Sequence, residues 1–478
     1  MKIKSNIIKN RNIGLIFLLL FHAFYSLKGQ SKVLNPKTFL SNVLKNHPMT
    51  MRADMRMDVA KAELMKSRGQ LDPSLNSNVQ QKYFGGKDYY SLANGELKIP
   101  TYYGIDFKTG YDLNRGVFLG PENSTPDNGL VYAGISIPLG QGLLIDERRA
   151  AIRDAQIGVE VGRLESVDIK NEIMFNASYQ YWEWFKAYNI LQILQEAENV
   201  ASQRFDAVKN YVANGDRPGI DTIEAGIQVQ NIRLALISAT LDLNKTQNLL
   251  NTYQWNDDGL PANNISDEIP VDREFALSNM DDDLSTVIES MDINTHPYLA
   301  QLKNKLIQQD IDLKLKKDRL KPRLHVQYNP LSEALGSRTI TDYNINNYKW
   351  GLEFKMPLFL RKERGDVKLA NLKIQDTDLL LQQKTVELEA KLNNYITEWS
   401  NTLDQIDVYT QAVSQYGQML DAERRLFELG ESSLFLINTR EQAFIQANVK
   451  LTELVAKNRL AYYSIWYFAG RMTELFPD

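Results

Sequence analysis

Along this chain the spacing of apolar residues switches between two periods, and the switches come in the same order twice. Residues 48–68 and 297–320 carry helix-like spacing. Strand-like segments follow. In Tyr103-Gly104-Ile105-Asp106-Phe107-Lys108-Thr109-Gly110-Tyr111-Asp112-Leu113, large residues alternate with small or charged ones, and Val131 to Leu139 alternates through Ala133, Ile135 and Ile137. The later counterpart is Leu324, Val326 and Tyr328, then the run from Tyr348 to Met356. A period of two predicts strands with two unlike faces, long enough to cross a membrane. Residues 75–84 give a weaker strand signal, read here as part of extra material in the first half. After each strand region the period lengthens. Leu392, Trp399, Ile406, Val413, Leu420 and Phe427 recur every seven positions, as do Ala187, Leu194, Ala201 and Val208, with Leu191, Phe205 and Val212 beside them. Such a repeat predicts long helices in coiled-coil packing. The first, from Leu143 to Val212, would run about 105 Å at 1.5 Å per residue. Return helices are expected over 220–253 and 434–470.

Proline positions agree with this division. None lies between Pro138 and Pro218, or between Pro357 and Pro477, leaving stretches of 79 and 119 residues free of helix breakers. Elsewhere prolines recur in pairs. His47-Pro48 matches His296-Pro297 and Leu71-Asp72-Pro73 matches Leu320-Lys321-Pro322, both offset by 249; Ile137-Pro138-Leu139 matches Met356-Pro357-Leu358, offset by 219. Gly215 and Gly430 punctuate the helical regions, offset by 215. The chain therefore reads as a tandem duplication with about 30 extra residues in its first half. The expected organisation is a signal peptide over 1–29, a first repeat over 30–254, a polar linker over 255–283 and a second repeat over 284–478. Each repeat is expected to hold a helix, a strand hairpin and a long helix pair. The fold class is mixed and mainly α, with four membrane strands per chain.

Composition narrows the chemistry. The 478 residues hold 55 Lys+Arg and 59 Asp+Glu, with no Cys and four His. Thiol nucleophiles, disulfides and Cys-based zinc sites are excluded, and the charge gives no reason to expect nucleic acid as a partner. Lys2, Lys4, Lys9 and Arg11 precede the apolar run Ile13–Phe21, the layout of a secretory signal peptide. Without its five basic residues the rest has 50 basic and 59 acidic residues. No later stretch is apolar enough for a membrane helix, so any membrane entry is expected as a β-barrel. His47 and His296 each precede a Pro at a helix start, which points to a structural role. No nucleophile elbow, zinc-protease motif or phosphate loop is present; no catalytic, cofactor-binding or metal site is expected, and the chain does not read as an enzyme. Four strands cannot close a barrel, and the helices carry apolar stripes that one chain cannot cover, so an oligomer is expected.

The duplicated order, the Pro-Leu pairs ending the second strands, and the turns Val212-Ala213-Asn214-Gly215-Asp216-Arg217-Pro218-Gly219-Ile220-Asp221 and Phe427-Glu428-Leu429-Gly430-Glu431-Ser432-Ser433-Leu434-Phe435-Leu436 together resemble the TolC-like outer-membrane efflux protein family, over essentially all of the chain after residue 29. The resemblance implies a homotrimer closing a twelve-stranded barrel in the outer-membrane lipid, with its helical part in the periplasm. It also implies a passive exit duct for efflux or type I secretion, opened by a periplasmic adaptor protein and driven by an inner-membrane RND or ABC pump. Gly215, Asp216, Arg217, Gly430, Glu431 and Ser432 are then the candidate adaptor-docking tips. Many relatives carry acidic residues at the second-half tip; here Leu436-Ile437-Asn438-Thr439 has none. Asp221 and Glu224, three apart on one helical face, are the candidate entrance constriction, or else form a helix-start capping pair. The rival reading is a periplasmic adaptor or a structural coiled-coil protein of the envelope. The tandem hairpins weigh against it.

Overall fold

The computed structural model describes residues 32–262, 268–278, 284, 288–333 and 344–476. The segment 1–29, expected as a signal peptide, and the acidic run 281–283 lie outside the described residues. In chain order the elements are β1 (Lys32–Leu34), α1 (Pro36–Asn46), α2 (Pro48–Arg68), β2 (Ser74–Phe84), β3 (Lys87–Pro100), β4 (Asp106–Arg115), β5 (Leu130–Pro138), α3 (Glu147–Ala213) and α4 (Ile220–Asn251). They continue with β6 (Glu268–Pro270), α5 (Arg273–Ser278), α6 (Pro297–Asp318), β7 (Arg323–Glu333), β8 (Tyr348–Lys355), α7 (Arg361–Glu428) and α8 (Leu434–Phe468). Two compact units are present. One comprises Met1–Met51, Ile169–Asp292 and Glu389–Asp478; the other comprises Arg52–Asp168 and Ile293–Leu388. Both units draw on both sequence repeats.

The second unit carries one antiparallel sheet of six strands, in the order β2-β3-β4-β5-β7-β8. Four strands per chain were expected, so this corrects the count, and the repeat arithmetic shows how. An offset of 249 carries β2 onto β7 end to end, and an offset of 219 carries β5 onto β8 to within a residue or two. The weak strand at 75–84 is therefore the true counterpart of β7, while β3 and β4 form the insertion. Strand β4, which the alternation of large residues made conspicuous, belongs to that extra hairpin.

The register gives the sheet two unlike faces. Leu75, Val79, Leu97, Ile99, Phe107, Tyr111, Val131, Ile135, Val326, Tyr328, Trp350, Leu352 and Phe354 share one face. Asn76, Asn78, Glu96, Lys98, Asp106, Lys108, Asp112, His325, Gln327, Lys349 and Glu353 share the other. On the polar face a network crosses the strands. The Tyr132 hydroxyl of β5 donates to Glu96 Oε2 of β3 at 2.9 Å, passing over Gly110 of β4. A Cβ on Gly110 would lie 2.5 Å from the Tyr132 ring, so only glycine leaves this path open. Asp106 pairs with Lys98 at 3.0 Å and with Arg148 at 2.9 Å, tying the inserted hairpin to the first turn of α3. Burial opposes the charge on Arg148, but the bond and charge of Asp106 outweigh it and hold the guanidinium above its usual pKa. Nearby, buried Asp318 at the end of α6 accepts from the Gly142 amide at 2.6 Å and pairs with Lys321 at 2.6 Å.

The first unit is a helical bundle. Leu191, Leu194, Ala197 and Ala201 of α3 are buried against Val229, Ile232 and Ala239 of α4 and Ile445 of α8. The heptad positions Ala187, Leu194, Ala201 and Val208 are all buried, as are Leu392, Ile406 and Leu420. Fully buried Tyr181 organises one end. Its hydroxyl donates to Leu34 O at 2.6 Å and accepts from the Val271 amide at 3.3 Å, holding the parallel pair β1–β6. The segment read as a linker therefore contains packed structure: β6 joins β1, and buried Arg459 donates to Ala276 O in α5 at 2.9 Å. The duplicated His-Pro pairs are helix caps. His47 Nδ1 accepts from the Met49 amide and His296 Nδ1 from the Tyr298 amide, each at 3.1 Å.

Candidate functional site

Helices α3 and α7 both reverse through the same backbone motif. At the first reversal the Gly215 amide donates to Val212 O at 3.1 Å and the Asp216 amide to Tyr211 O at 2.9 Å. At the second, the Gly430 amide donates to Phe427 O at 3.1 Å and the Glu431 amide to Leu426 O at 2.9 Å. These are paired Schellman closures, which satisfy the last carbonyls of a helix by putting one residue in the left-handed region. Gly215 and Gly430 occupy it, with φ of +83° and +77°. The two glycines singled out in sequence thus share one physical role.

Arg217 links the two reversals. Its guanidinium lies 3.8 Å above the Phe427 ring, and its Nη1 is 3.6 Å from Asp221 Oδ2. Both charged side chains of this pair are largely covered. Glu224 turns to α8, where its Oε1 accepts from Asn438 Nδ2 at 3.2 Å. The helix-capping alternative for this pair fails: α4 starts from Gly219, which provides no side-chain cap. Asp221 and Glu224 are instead tied to separate partners, a cation and a neutral amide. The amide of Asn438 sits where the second-half tip lacks an acid. Ser432 donates to Glu423, and Ser433 caps α8 by accepting from the Leu436 amide at 3.4 Å.

One cluster here escaped the sequence reading. Glu441 of α8 is 2% exposed, accepts from Arg204 Nη1 at 3.1 Å and also bonds Arg204 Nη2; Arg424 Nη2 lies 3.8 Å away. A single carboxylate thus joins α3, α7 and α8 just inside the reversals. A buried carboxylate holds its charge only with such partners. Within one helix, however, Arg440-Glu441 looks like any solvated pair, so only the tertiary contacts reveal it. A groove of about 460 Å³ opens beside the cluster, lined in part by Arg204, Tyr211, Asp216, Arg217, Arg424 and Phe427. Its lining mixes apolar stems with three guanidinium groups. Among the described residues, no group of three or more His, Cys, Asp or Glu is placed to hold a metal ion.

A duplicated helical bundle with paired reversals, together with a two-faced antiparallel sheet, is a fold shared with solved outer membrane channels, and the resemblance to the TolC-like family holds at the level of the fold. The chain is similar to the Campylobacter jejuni CmeC outer membrane channel, with 16% identity, a TM-score of 0.66, and coverage of 93% of this chain and 87% of that one. It is also similar to the outer membrane protein VceC from Vibrio cholerae, at 13% identity and a TM-score of 0.63 over 91% of this chain and 96% of that one. The open state of the Neisseria gonorrhoeae MtrE outer membrane channel matches at 12% identity and a TM-score of 0.63, over 91% and 89% of the two chains. No family sequence model matches the chain, and no curated protein matches it in sequence.

Proposed function

We propose that this chain is the passive outer-membrane duct of a tripartite export system, assembled from three copies. The observation that carries the reading is the six-stranded sheet with one apolar and one polar face, in a chain whose described helices include none long and apolar enough to cross a membrane. A sheet of this kind suits a barrel wall, with the apolar face to lipid and the polar face to water. The helices support assembly as well. Ile220, Ile227, Leu234 and Leu241 of α4 recur every seven residues with Ile223 and Ile237 between them, and all six are exposed. Among the described residues this coiled-coil seam has no partner, and a neighbouring copy would cover it.

In this reading cargo passes through without chemistry. The pump supplies the energy and the adaptor acts at the reversals, where the groove beside Arg217 and Arg424 offers apolar contact flanked by three guanidinium groups and by the carboxylates of Asp216 and Glu428. The Arg217–Phe427 and Arg204–Glu441 contacts hold the two helix pairs together, so an adaptor that competes for these guanidinium groups would shift the tip between two states. Asp221, paired with Arg217, takes part in that change, and Glu224 follows three residues on in α4. Membrane fractionation with chemical crosslinking tests the proposal: a crosslinked trimer in the outer-membrane fraction supports it. Recovery as a soluble periplasmic monomer would favour the adaptor or coiled-coil alternative instead.

A further inference from the structure

Resting on the trimeric-duct reading, we infer that the barrel has eighteen strands rather than twelve, and that the seam between copies repeats the register of β5 with β7. The first part follows from the inserted hairpin. Strands β3 and β4 continue both faces of the sheet without a break: Leu97, Ile99, Phe107 and Tyr111 on the apolar side, Glu96, Lys98, Asp106 and Lys108 on the polar side. They are also bonded into the wall from both directions, by Tyr132 reaching Glu96 across Gly110 and by Asp106 joining Lys98 to Arg148. The base of the hairpin is closed by Thr101, whose amide and hydroxyl both donate to Ile105 O, at 3.1 and 2.7 Å. A hairpin standing off the wall would need neither the shared faces nor the crossing bonds. Three sheets of six then form the ring, and at equal tilt its circumference is about 1.5 times that of a twelve-stranded one.

The second part follows from the duplication. Among the described residues the sheet's two edges are β2 and β8. The six strands alternate in direction, so β8 of one copy and β2 of the next meet antiparallel. An edge in lipid leaves backbone groups without partners, so a second copy of this chain is the occupant the edge requires. Within the chain, β5 ends the first repeat's strands and β7 begins the second's, and they pair as Ile135↔Tyr328 and Val131↔Ser332. The seam joins the end of a second repeat to the start of a first, the same junction. Applying the offsets of 219 and 249 places Phe354 opposite Val79, Trp350 opposite Tyr83, and Lys355 opposite Asn78. The first two pairs fall wholly on the apolar face and the third wholly on the polar face. Nothing in the arithmetic forced that agreement; a shift by one residue would destroy it.

The natural absence of cysteine makes the seam directly testable. Directly opposed strand residues have Cβ atoms about 4.5–5.5 Å apart, within reach of disulfide formation after a small adjustment. Val79→Cys with Phe354→Cys in the full chain, oxidised in isolated outer membranes, should yield covalent dimers and trimers on a non-reducing gel. Val79→Cys with Glu353→Cys, which lie on opposite faces, should not. Cryo-electron microscopy of the wild-type trimer in lipid nanodiscs supplies the strand count independently of any variant. Eighteen strands with the Val79–Phe354 crosslink support the inference. A membrane trimer of twelve strands with β3 and β4 outside the wall overturns the count, and a trimer that crosslinks only through Glu353 overturns the register. No membrane trimer at all would overturn the duct reading itself.

Discussion

Replacing Glu441 with alanine removes the carboxylate that Arg204 and Arg424 share, leaving Arg424 with Asp421 at 3.5 Å, and the consequences can be sized from the structure. Glu441 is 2% exposed and the Arg204 side chain 11%, so both lose most of their hydration on folding. Breaking a buried pair by removing one partner costs about 3–5 kcal/mol, because the other charge is left without compensation. Arg424 is 39% exposed and can rehydrate, which places the expected loss near the lower end, about 3 kcal/mol. At 1.4 kcal/mol per factor of ten, that is a roughly 100-fold increase in local opening. Native-state hydrogen exchange read by mass spectrometry is the suitable assay, because it reports opening segment by segment. Peptides covering 200–212 and 420–445 should lose about 100-fold in protection, while those covering 106–115 stay at the wild-type level. The paired change Arg204→Met with Glu441→Leu should recover most of the loss, since it removes both buried charges. Wild-type protection in Glu441→Ala, or an equal loss in the paired variant, would refute this reasoning.

Three further outcomes are expected. Valine at both Gly215 and Gly430 forces a β-branched residue into the left-handed region at about 1–2 kcal/mol each, so export in cells should be lost while crosslinking still shows trimers. In planar-bilayer recordings, Glu224→Gln should weaken block by multivalent cations more than Asp221→Asn does, because Arg217 already neutralises Asp221 whereas Asn438 leaves the Glu224 charge in place. Burial lowers the pKa of His47 below its ordinary 6.5, although a bond with the Thr252 backbone pulls the other way. The unfolded chain therefore binds the extra proton first: the cap's contribution is complete above about pH 6.5 and declines as the pH falls through that value toward the folded pKa. Melting temperatures measured between pH 7.5 and 5 should show this decline, and His47→Asn, a cap that does not titrate, should flatten it.

How far the sequence revealed these features depended on whether a signal was local. The long helices announce themselves through seven-residue spacing and proline-free runs, and the reversals through glycine, because each property is carried by the residues concerned. Strand β4 is conspicuous because Phe107 and Tyr111 alternate with small or charged residues. Strand β3 is not, since Ser91, Ala93 and Gly95 occupy its apolar face and bury little. Strand β2 has the same weakness, with Ser77 and Gln81 between Leu75, Val79 and Tyr83. The offset of 249 that relates the prolines also relates β2 to β7, so the sign of β2 lies in the repeat and not in its own residues. At the reversals, Asp-x-x-Glu has the form of a capping pair, and Arg217, four residues before Asp221, is a local sign of the ion pair; the Phe427 ring beneath the guanidinium comes from another helix and leaves no such sign. Glu441 gave no sign at all. Its burial depends on Arg204 and Arg424, contributed by two other helices.

The central claim is that copies of this chain enclose a water-filled path through the outer membrane. Single-channel recording tests it most directly, using protein extracted from outer membranes and reconstituted into planar lipid bilayers. The account predicts discrete conductance steps, with cations favoured and the block by multivalent cations sensitive to Glu224→Gln. Protein that inserts as a trimer yet passes no current above the bare bilayer would contradict it.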